Sequence, residues 1–258
     1  MIRFMAKENH NNKSTTETHF GYKQVNISEK PKLIRNVFDS VASKYDFMND
    51  IMSLGIHRFW KKTLFSKVKP GSKSQILDVG GGTGDMAFKF SENGNQNIIV
   101  TDANQKMLEV GRDRAFDRAL VKEINWVGGD AENLPFENSS FDVYITAFCL
   151  RNVTNLRKAL KEADRILKPG GQFLCLEFSH IVLPSLSKLY DNYSFQILPL
   201  MGQVFANDKA SYLYLAESIR QFPNQDEFLR LIQDAGLQKI SYQNLTGGIV
   251  AIHSAWKL

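Results

Sequence analysis

Cysteine is scarce: Cys149 and Cys175 are the only two in 258 residues. With no C-x-x-C pair and no His/Cys cluster, the chain offers neither a disulfide framework nor a structural metal site. Both cysteines fall in predicted apolar strands, so reduced, buried thiols in an intracellular compartment are expected. Long hydrophobic runs are also missing. Nothing approaches the ~18 uninterrupted apolar residues that a spanning helix needs, which leaves contact with a membrane surface as the only membrane role. The first fourteen residues hold Arg3, Lys7 and Lys13 and no apolar core. They read neither as a secretory signal nor as an Arg-rich presequence. A strong excess of one charge is absent too: 32 basic side chains face 27 acidic ones, for a formal +5. That balance suits an anionic membrane surface or an acidic partner and does not point to nucleic acid.

The sequence is otherwise that of a folded protein, 43% hydrophobic and 23% charged, long enough for one sizeable α/β domain. Its organising stretch is Ile76 to Asp85, Ile-Leu-Asp-Val-Gly-Gly-Gly-Thr-Gly-Asp. A short apolar run breaks into glycines and resumes at Met86, Ala87, Phe88 and Phe90 with helical spacing. This predicts a buried strand, a tight turn and a helix N-terminus, where a nucleotide-like ligand can approach the main chain closely.

Two ligand classes fit such a turn, and spacing alone does not separate them. Gly82, Gly84 and Ala87 satisfy the dinucleotide pattern G-x-G-x-x-G/A, and Asp102 follows Gly82 by 20 residues, as a ribose-binding carboxylate should. Charge decides between them. A pyrophosphate would lie on the helix N-terminus, yet Asp78 closes the strand and Asp85 opens the helix, flanking it with carboxylates. S-adenosylmethionine carries a sulfonium and an ammonium, which that acidic rim attracts.

The remaining elements follow in order. Residues 1–28 are polar and expected to be loosely ordered except where His19, Phe20, Gly21 and Tyr22 dock. A helical cap over 29–70 precedes the doubly wound core. Asn97–Thr101, Ile124–Val127, Phe141–Phe148 and Gln172–Phe178 are predicted strands, with helices from Asn104 to about Arg118 and from Thr154 to Leu167. The second strand places Asp102 at its carboxyl end, where open parallel sheets bind ligands. Met107 could lie against an adenine or fill the core. Past the third strand, Asp130 can accept from an exocyclic amine and the Ala131 N–H can donate to a ring nitrogen. The fifth strand brings Glu177 and Ser179 to the ligand edge. Residues 179–222 lack a strand pattern and read as a pocket-shaping insertion. A helix over Asn224–Ala235 and strands over Gln238–Gln243 and Gly248–Trp256 close the chain.

With the glycine turn, Asp102, Asp130-Ala131 and Leu167-Lys-Pro-Gly-Gly171, the chain resembles a class I S-adenosylmethionine-dependent methyltransferase. More specific stretches narrow the resemblance to the ubiquinone/menaquinone biosynthesis C-methyltransferases: Thr18-His-Phe-Gly-Tyr22, Val41-Ala-Ser-Lys-Tyr-Asp46, Met48-Asn-Asp50, Met52-Ser-Leu-Gly-Ile-His-Arg58, Leu150-Arg-Asn-Val-Thr154, Glu177-Phe-Ser179, Tyr190 to Ser194 and Ala216-Glu-Ser-Ile-Arg220. The resemblance runs from about Thr18 to the end. It implies a Rossmann-like α/β fold with a doubly wound seven-stranded sheet, the last strand antiparallel, an N-terminal helical extension and an insertion after strand 5. It also implies S-adenosylmethionine as cofactor, with Thr83, Asp102 and the Asp130-Ala131 pair matching the family's contacts; Asp78, Gly80, Gly82, Gly84, Met107 and the strand end at Ala147 complete the expected cofactor site. Two positions depart from the family. Ala147 stands where Ser is frequent, so a hydroxyl contact is missing, and Gly80 stands where Ala is frequent, a change that is harmless by size.

The implied reaction is methylation of a ring carbon in a polyprenylated benzoquinol, or in demethylmenaquinol where menaquinone is made. A quinol carbon is nucleophilic when a neighbouring hydroxyl ionises, and a phenol pKa is near ~10, so the site must favour the phenolate or take its proton. Arg151 is the first candidate, stabilising the phenolate or holding a water, with Asn152 orienting the ring. His57, which titrates near neutrality, is the alternative base, against a packing role at a helix end. Tyr45, Tyr190, Tyr193 and Tyr212 rank lower as pocket residues. Leu186 to Phe205 could line an isoprenoid groove or pack a homodimer. Expected partners are the quinol, a membrane surface and other quinone-biosynthesis enzymes, at the bacterial inner membrane or the matrix side of the mitochondrial one. A methyltransferase for a small soluble acceptor and a non-catalytic scaffold are the competing readings.

Overall fold

The computed structural model describes residues 17–42, 49–50, 53–68, 71, 73–183, 190, 192–203 and 208–258. Its centre is a seven-stranded sheet built from β3 (Ile76–Val79), β4 (Ile98–Asp102), β5 (Ile124–Gly128), β6 (Phe141–Ala147), β7 (Leu167–Phe178), β8 (Gln238–Leu245) and β9 (Val250–Trp256), in the order β5-β4-β3-β6-β7-β9-β8. The first five pair in parallel. The last, β9, slots antiparallel between β7 and β8. All four residues of β3 are buried, as a parallel strand covered on both faces must be. One cover packs Trp60, Leu64, Phe88, Phe90 and Leu108 against the sheet, the other Leu160, Ala163, Phe173, Phe228 and Ile232. The chain runs outward from β3 through β4 to β5, then returns to β6 on the other side of β3. The crevice at that reversal is where such sheets bind ligands.

The helices are α1 (Lys30–Val41), α2 (His57–Lys67), α3 (Asp85–Glu92), α4 (Gln105–Asp117), α5 (Leu156–Ile166), α6 (Lys209–Gln221) and α7 (Gln225–Asp234). Several start at the side chains that their sequences supply. Asn104 accepts from Met107 N–H, Asn155 from Lys158 N–H, and Asn224 forms a reciprocal capping box with Glu227. The insertion after β7 is helical where described: a π-helical turn, Tyr193–Ile197, runs into Leu198–Met201, and α6 follows.

Three sequence expectations change. Residues 17–26, expected to be loosely ordered except where His19 to Tyr22 dock, are ordered throughout as a hairpin of β1 (Glu17–Phe20) and β2 (Lys23–Asn26), whose Phe20 and Tyr22 do dock. An isolated hairpin is marginal in water, and this one gains its order by docking on α6. Cys149 is not in a strand: β6 ends at Ala147 and Cys149 precedes the 3-10 turn Leu150–Asn152, while Cys175 is buried in β7 as expected. The Lys-Pro-Gly-Gly stretch does not separate helix from strand, because β7 already begins at Leu167 and passes through an irregularity in its pairing with β6. Tyr45 lies outside the described residues, as do Leu186 and Phe205 at the ends of the expected apolar groove.

Candidate functional site

A cavity of about 430 Å³ opens at the carboxyl ends of β3, β4 and β5. Asp78, Gly80, Gly82, Thr83, Asp102, Met107, Asp130, Ala131 and Ala147 all line it. Gly84 does not. It caps α3 in the left-handed region (φ 86°), and a Cβ there would meet the Trp126 ring at 2.5 Å, so its glycine serves helix–sheet packing. At Gly82 a Cβ would meet Met107 Cε at 2.9 Å, which places the bare backbone on the cavity floor beside Met107. Met107 is buried as a core residue would be, and it also borders the cavity.

Asp102 accepts from Gly82 N–H at 3.0 Å and Asn104 N–H at 2.8 Å, one backbone donor on each oxygen. Burial pushes its carboxyl up to about 6. Asp78 is more deeply buried, with one carboxyl oxygen unpartnered among the described residues, and burial raises it to about 7. Asp85 corrects the acidic-rim argument. Its oxygens receive Lys61 Nζ at 2.7 Å and Arg114 Nη2 at 3.0 Å. Burial opposes ionisation, yet Lys61 and then Arg114 hold the carboxyl well below its usual range. Its charge is neutralised by these two cations, and the acidic character of the crevice rests on Asp78 and Asp102. Gly80 adds a requirement that size alone did not reveal. It sits at φ 65°, and a Cβ there would meet Cys149 Sγ at 2.2 Å, so the glycine that stands in place of the family's Ala is not only tolerated but needed in this chain.

A second cavity, about 470 Å³, lies under α2 and α6. It is lined mainly by apolar and aromatic groups, including Trp60, Phe178, Tyr190, Tyr193, Tyr212 and Tyr214, and it holds His57, Arg151 and Asn152. Phe38, Phe148 and Asn152 line both cavities, so the two share a wall.

The three catalytic candidates occupy different settings. Arg151 is buried and paired with Glu177, Nη1 to Oε1 at 2.8 Å, while its backbone N–H reaches the other carboxylate oxygen. Burial raises the Glu177 carboxyl and Arg151 opposes that rise. Asn152 Oδ1 accepts from the Tyr214 hydroxyl at 3.0 Å. His57 Nε2 bonds Asp50 Oδ1 at 2.8 Å, and its Nδ1 is buried without a partner among the described residues. Burial lowers the imidazole pKa, whereas Asp50 is held near 2 by Arg58 and then by His57. The sequence brought Glu177 to this edge but did not reveal it as the Arg151 counter-charge. Tyr214, Phe38 and Lys61 carried no local signal for this site, because each is recruited from a distant element, whereas Phe148 directly follows the end of β6.

The model of the ubiE/COQ5 methyltransferase family matches residues 24–257. Among relatives, the protein named 2-methoxy-6-polyprenyl-1,4-benzoquinol methylase, mitochondrial, of Bos taurus is 49% identical over 95% of this chain and 85% of its own length. The protein of the same name from Oryza sativa subsp. japonica is 50% identical over 93% and 88%. Solved structures repeat the fold. The Haloferax volcanii putative methyltransferase, solved with its Trm112 activator, covers 86% of this chain and 96% of its own at TM-score 0.63 and 16% identity. A possible histamine N-methyltransferase from Thermotoga maritima covers 86% and 99% at TM-score 0.60 and 19% identity. A match across nearly the whole chain, joined to half-identical relatives over nine-tenths of it, shows that this protein belongs to the ubiE/COQ5 methyltransferase family.

Proposed function

We propose that the chain transfers a methyl group from S-adenosylmethionine to a ring carbon of 2-methoxy-6-polyprenyl-1,4-benzoquinol in ubiquinone biosynthesis. The observation that carries this reading is the shared wall: a polar, glycine-floored cavity with buried carboxylates meets an aromatic one at Phe38, Phe148 and Asn152. The first fits the cofactor. Asp102 keeps lone pairs for two ribose hydroxyls, and Asp130 with Ala131 can serve the adenine edge. The unpartnered Asp78 oxygen offers a carboxyl that a cationic ligand would draw into its ionised form. When bound, the cofactor supplies an electrophilic methyl carbon on a positively charged sulfur.

The second cavity would receive the quinol, and the names of the relatives favour the benzoquinol over demethylmenaquinol. Aromatic walls align the ring, and alignment is most of what a protein contributes to a one-step displacement. Arg151 is a poor proton acceptor, since a guanidinium stays charged. Paired with Glu177, it fixes the turn that carries Phe148 and Asn152. His57 is the better base: a neutral imidazole bonded at Nε2 to an ionised Asp50 has Nδ1 available as acceptor. As the ring carbon gains its methyl group, the proton it loses passes to His57, and Asp50 stabilises the imidazolium.

Leu54 and Ile197 line this cavity and are also exposed, 84% and 48%. They form an apolar rim suited to an isoprenoid tail entering from a bilayer. With relatives named mitochondrial, we place the protein peripherally on the matrix face of the inner membrane. The test is direct. Purified protein incubated with S-adenosylmethionine and the reduced, short-chain prenyl analogue should yield a C-methylated quinol, identified by mass and by loss of one ring-proton signal. An unmodified quinol, or methyl on oxygen, refutes the proposal.

A further inference from the structure

Two stretches that carry the family resemblance, Thr18 to Tyr22 and Ala216 to Arg220, have no part in the chemistry above, and the structure brings them together. Gly21 turns the hairpin at φ 58°, and a Cβ there would overlap Glu217 at 2.1 Å. The next residue, Tyr22, donates its N–H to Glu217 Oε2 at 3.0 Å. The hairpin is thus latched to α6 by a contact that only glycine permits. On the same helix, one turn earlier, Tyr214 lies face to face with Phe20, ring centroids 4.2 Å apart and planes 14° from parallel. Tyr214 is buried, and its hydroxyl reaches Asn152 on the wall between the cavities.

The bond has a defined direction. Tyr214 Oη faces Asn152 Oδ1, which can only accept, so the hydroxyl donates, and burial, by pushing the phenol far above its usual value, keeps that proton in place. A side-chain amide has one oxygen and one NH2, and fixing the oxygen fixes the other end. With Oδ1 taken by Tyr214, Asn152 has two N–H donors left to give. A phenolate oxygen is stabilised by those donors and repelled by a flipped amide carbonyl. We infer that the N-terminal hairpin belongs to the reacting site: through Phe20 stacked on Tyr214, it sets the orientation of the Asn152 amide so that its N–H groups face the acceptor oxygen. Phe20 and Tyr214 are then positioning residues, and Glu217 anchors the strap that holds them. This rests on the quinol reading above.

The experiment uses the full chain. Tyr214→Phe keeps the ring stack and deletes only the donor, so the melting temperature and S-adenosylhomocysteine affinity should match the parent. The kcat should fall roughly 10- to 100-fold with the quinol KM little changed. Phe20→Ala should lower kcat less, Phe20→Tyr should restore it, and Phe20→Ala should cost nothing further in the Tyr214→Phe background. A Tyr214→Phe enzyme with the parent's kcat, or additive losses in the double variant, overturns the inference. Heteronuclear NMR of the Asn152 side-chain amide needs no acceptor. Its signals should shift in Tyr214→Phe, and unchanged signals overturn the inference even if the parent proves inactive on quinols, a result that would sink only the quinol reading.

Discussion

Cofactor binding should release protons, because the two carboxyls that make the crevice acidic are raised, Asp78 to about 7 and Asp102 to about 6, by burial first. A sulfonium and an ammonium favour the ionised forms, so the apparent affinity falls wherever the free protein holds protons on these groups. With independent sites, the penalty at pH 6 is about 11-fold for Asp78 times about 2-fold for Asp102, roughly 20-fold, and it is near unity at pH 8. Calorimetric titration of S-adenosylmethionine in two buffers of different ionisation enthalpy reads both quantities. Kd should weaken by about that factor from pH 8 to pH 6, with about one proton released per ligand at intermediate pH. Asp78→Asn should remove most of the pH dependence and Asp102→Asn the smaller part, while the ligand amine titrates alike in every variant. A Kd that stays flat between these pH values, with no proton release, refutes the electrostatic account. The same shifts act oppositely on the ligand-free fold. Folded pKa values above the unfolded 3.8 contribute stability that is present below it and lost as pH rises through 6 and 7.

Other outcomes follow from single contacts. Gly80→Ala should destabilise by about 2–5 kcal/mol, from left-handed strain of ~1–2 and overpacking of ~1–3 kcal/mol against Cys149. The melting temperature should then drop by roughly 5–15 °C. Cys149→Ala in that background should recover part of the loss, since it removes the sulfur at 2.2 Å and leaves the Cβ at 2.5 Å; strict additivity would show that the two residues do not meet. His57→Ala should lower kcat by about 10²–10⁴-fold. In the parent, rate should fall as pH drops through an imidazole pKa that burial holds below 6.5, and an acid limb surviving in His57→Ala would move the base elsewhere. Burial lowers His253 to about 4, and the ring donates to Gln225 C=O at 3.0 Å. Its stabilising contribution is present above 6.5 and lost as pH falls through 4. Denaturation of His253→Gln across that window should be flatter than the parent's, and parallel curves would contradict the assignment.

That the glycine turn, Asp102 and Asp130 meet at one cavity was legible because each piece is local. A strand buried on both faces is a continuous apolar run, a turn needing left-handed backbone is written in glycine, and Asp102 and Asp130 follow their strands directly. What local reading cannot supply is the partner of a charge. Asp85 looked like a free rim carboxylate, yet Lys61 and Arg114 stand 24 and 29 residues away in sequence and neutralise it. Arg151 looked like a free cation, and its counter-charge Glu177 is 26 residues downstream. That Gly80 is required rather than merely harmless appears only once Cys149 packs against it. The aromatic cavity is harder still, for it draws on α1, α2, the turn after β6 and α6, and no spacing rule connects Phe38 to Phe148 or Tyr214 to Asn152. The hairpin is the sharpest case. Its composition favours disorder, and its place is given by distant partners: the ring of Tyr214, the ring of Phe195 and the carboxylate of Glu217, 195 residues from Tyr22. Order that depends on so remote a partner is conditional on α6 being folded. Variants that loosen α6 should therefore release the hairpin and the Asn152 amide together, while leaving the glycine turn and its carboxylates in place.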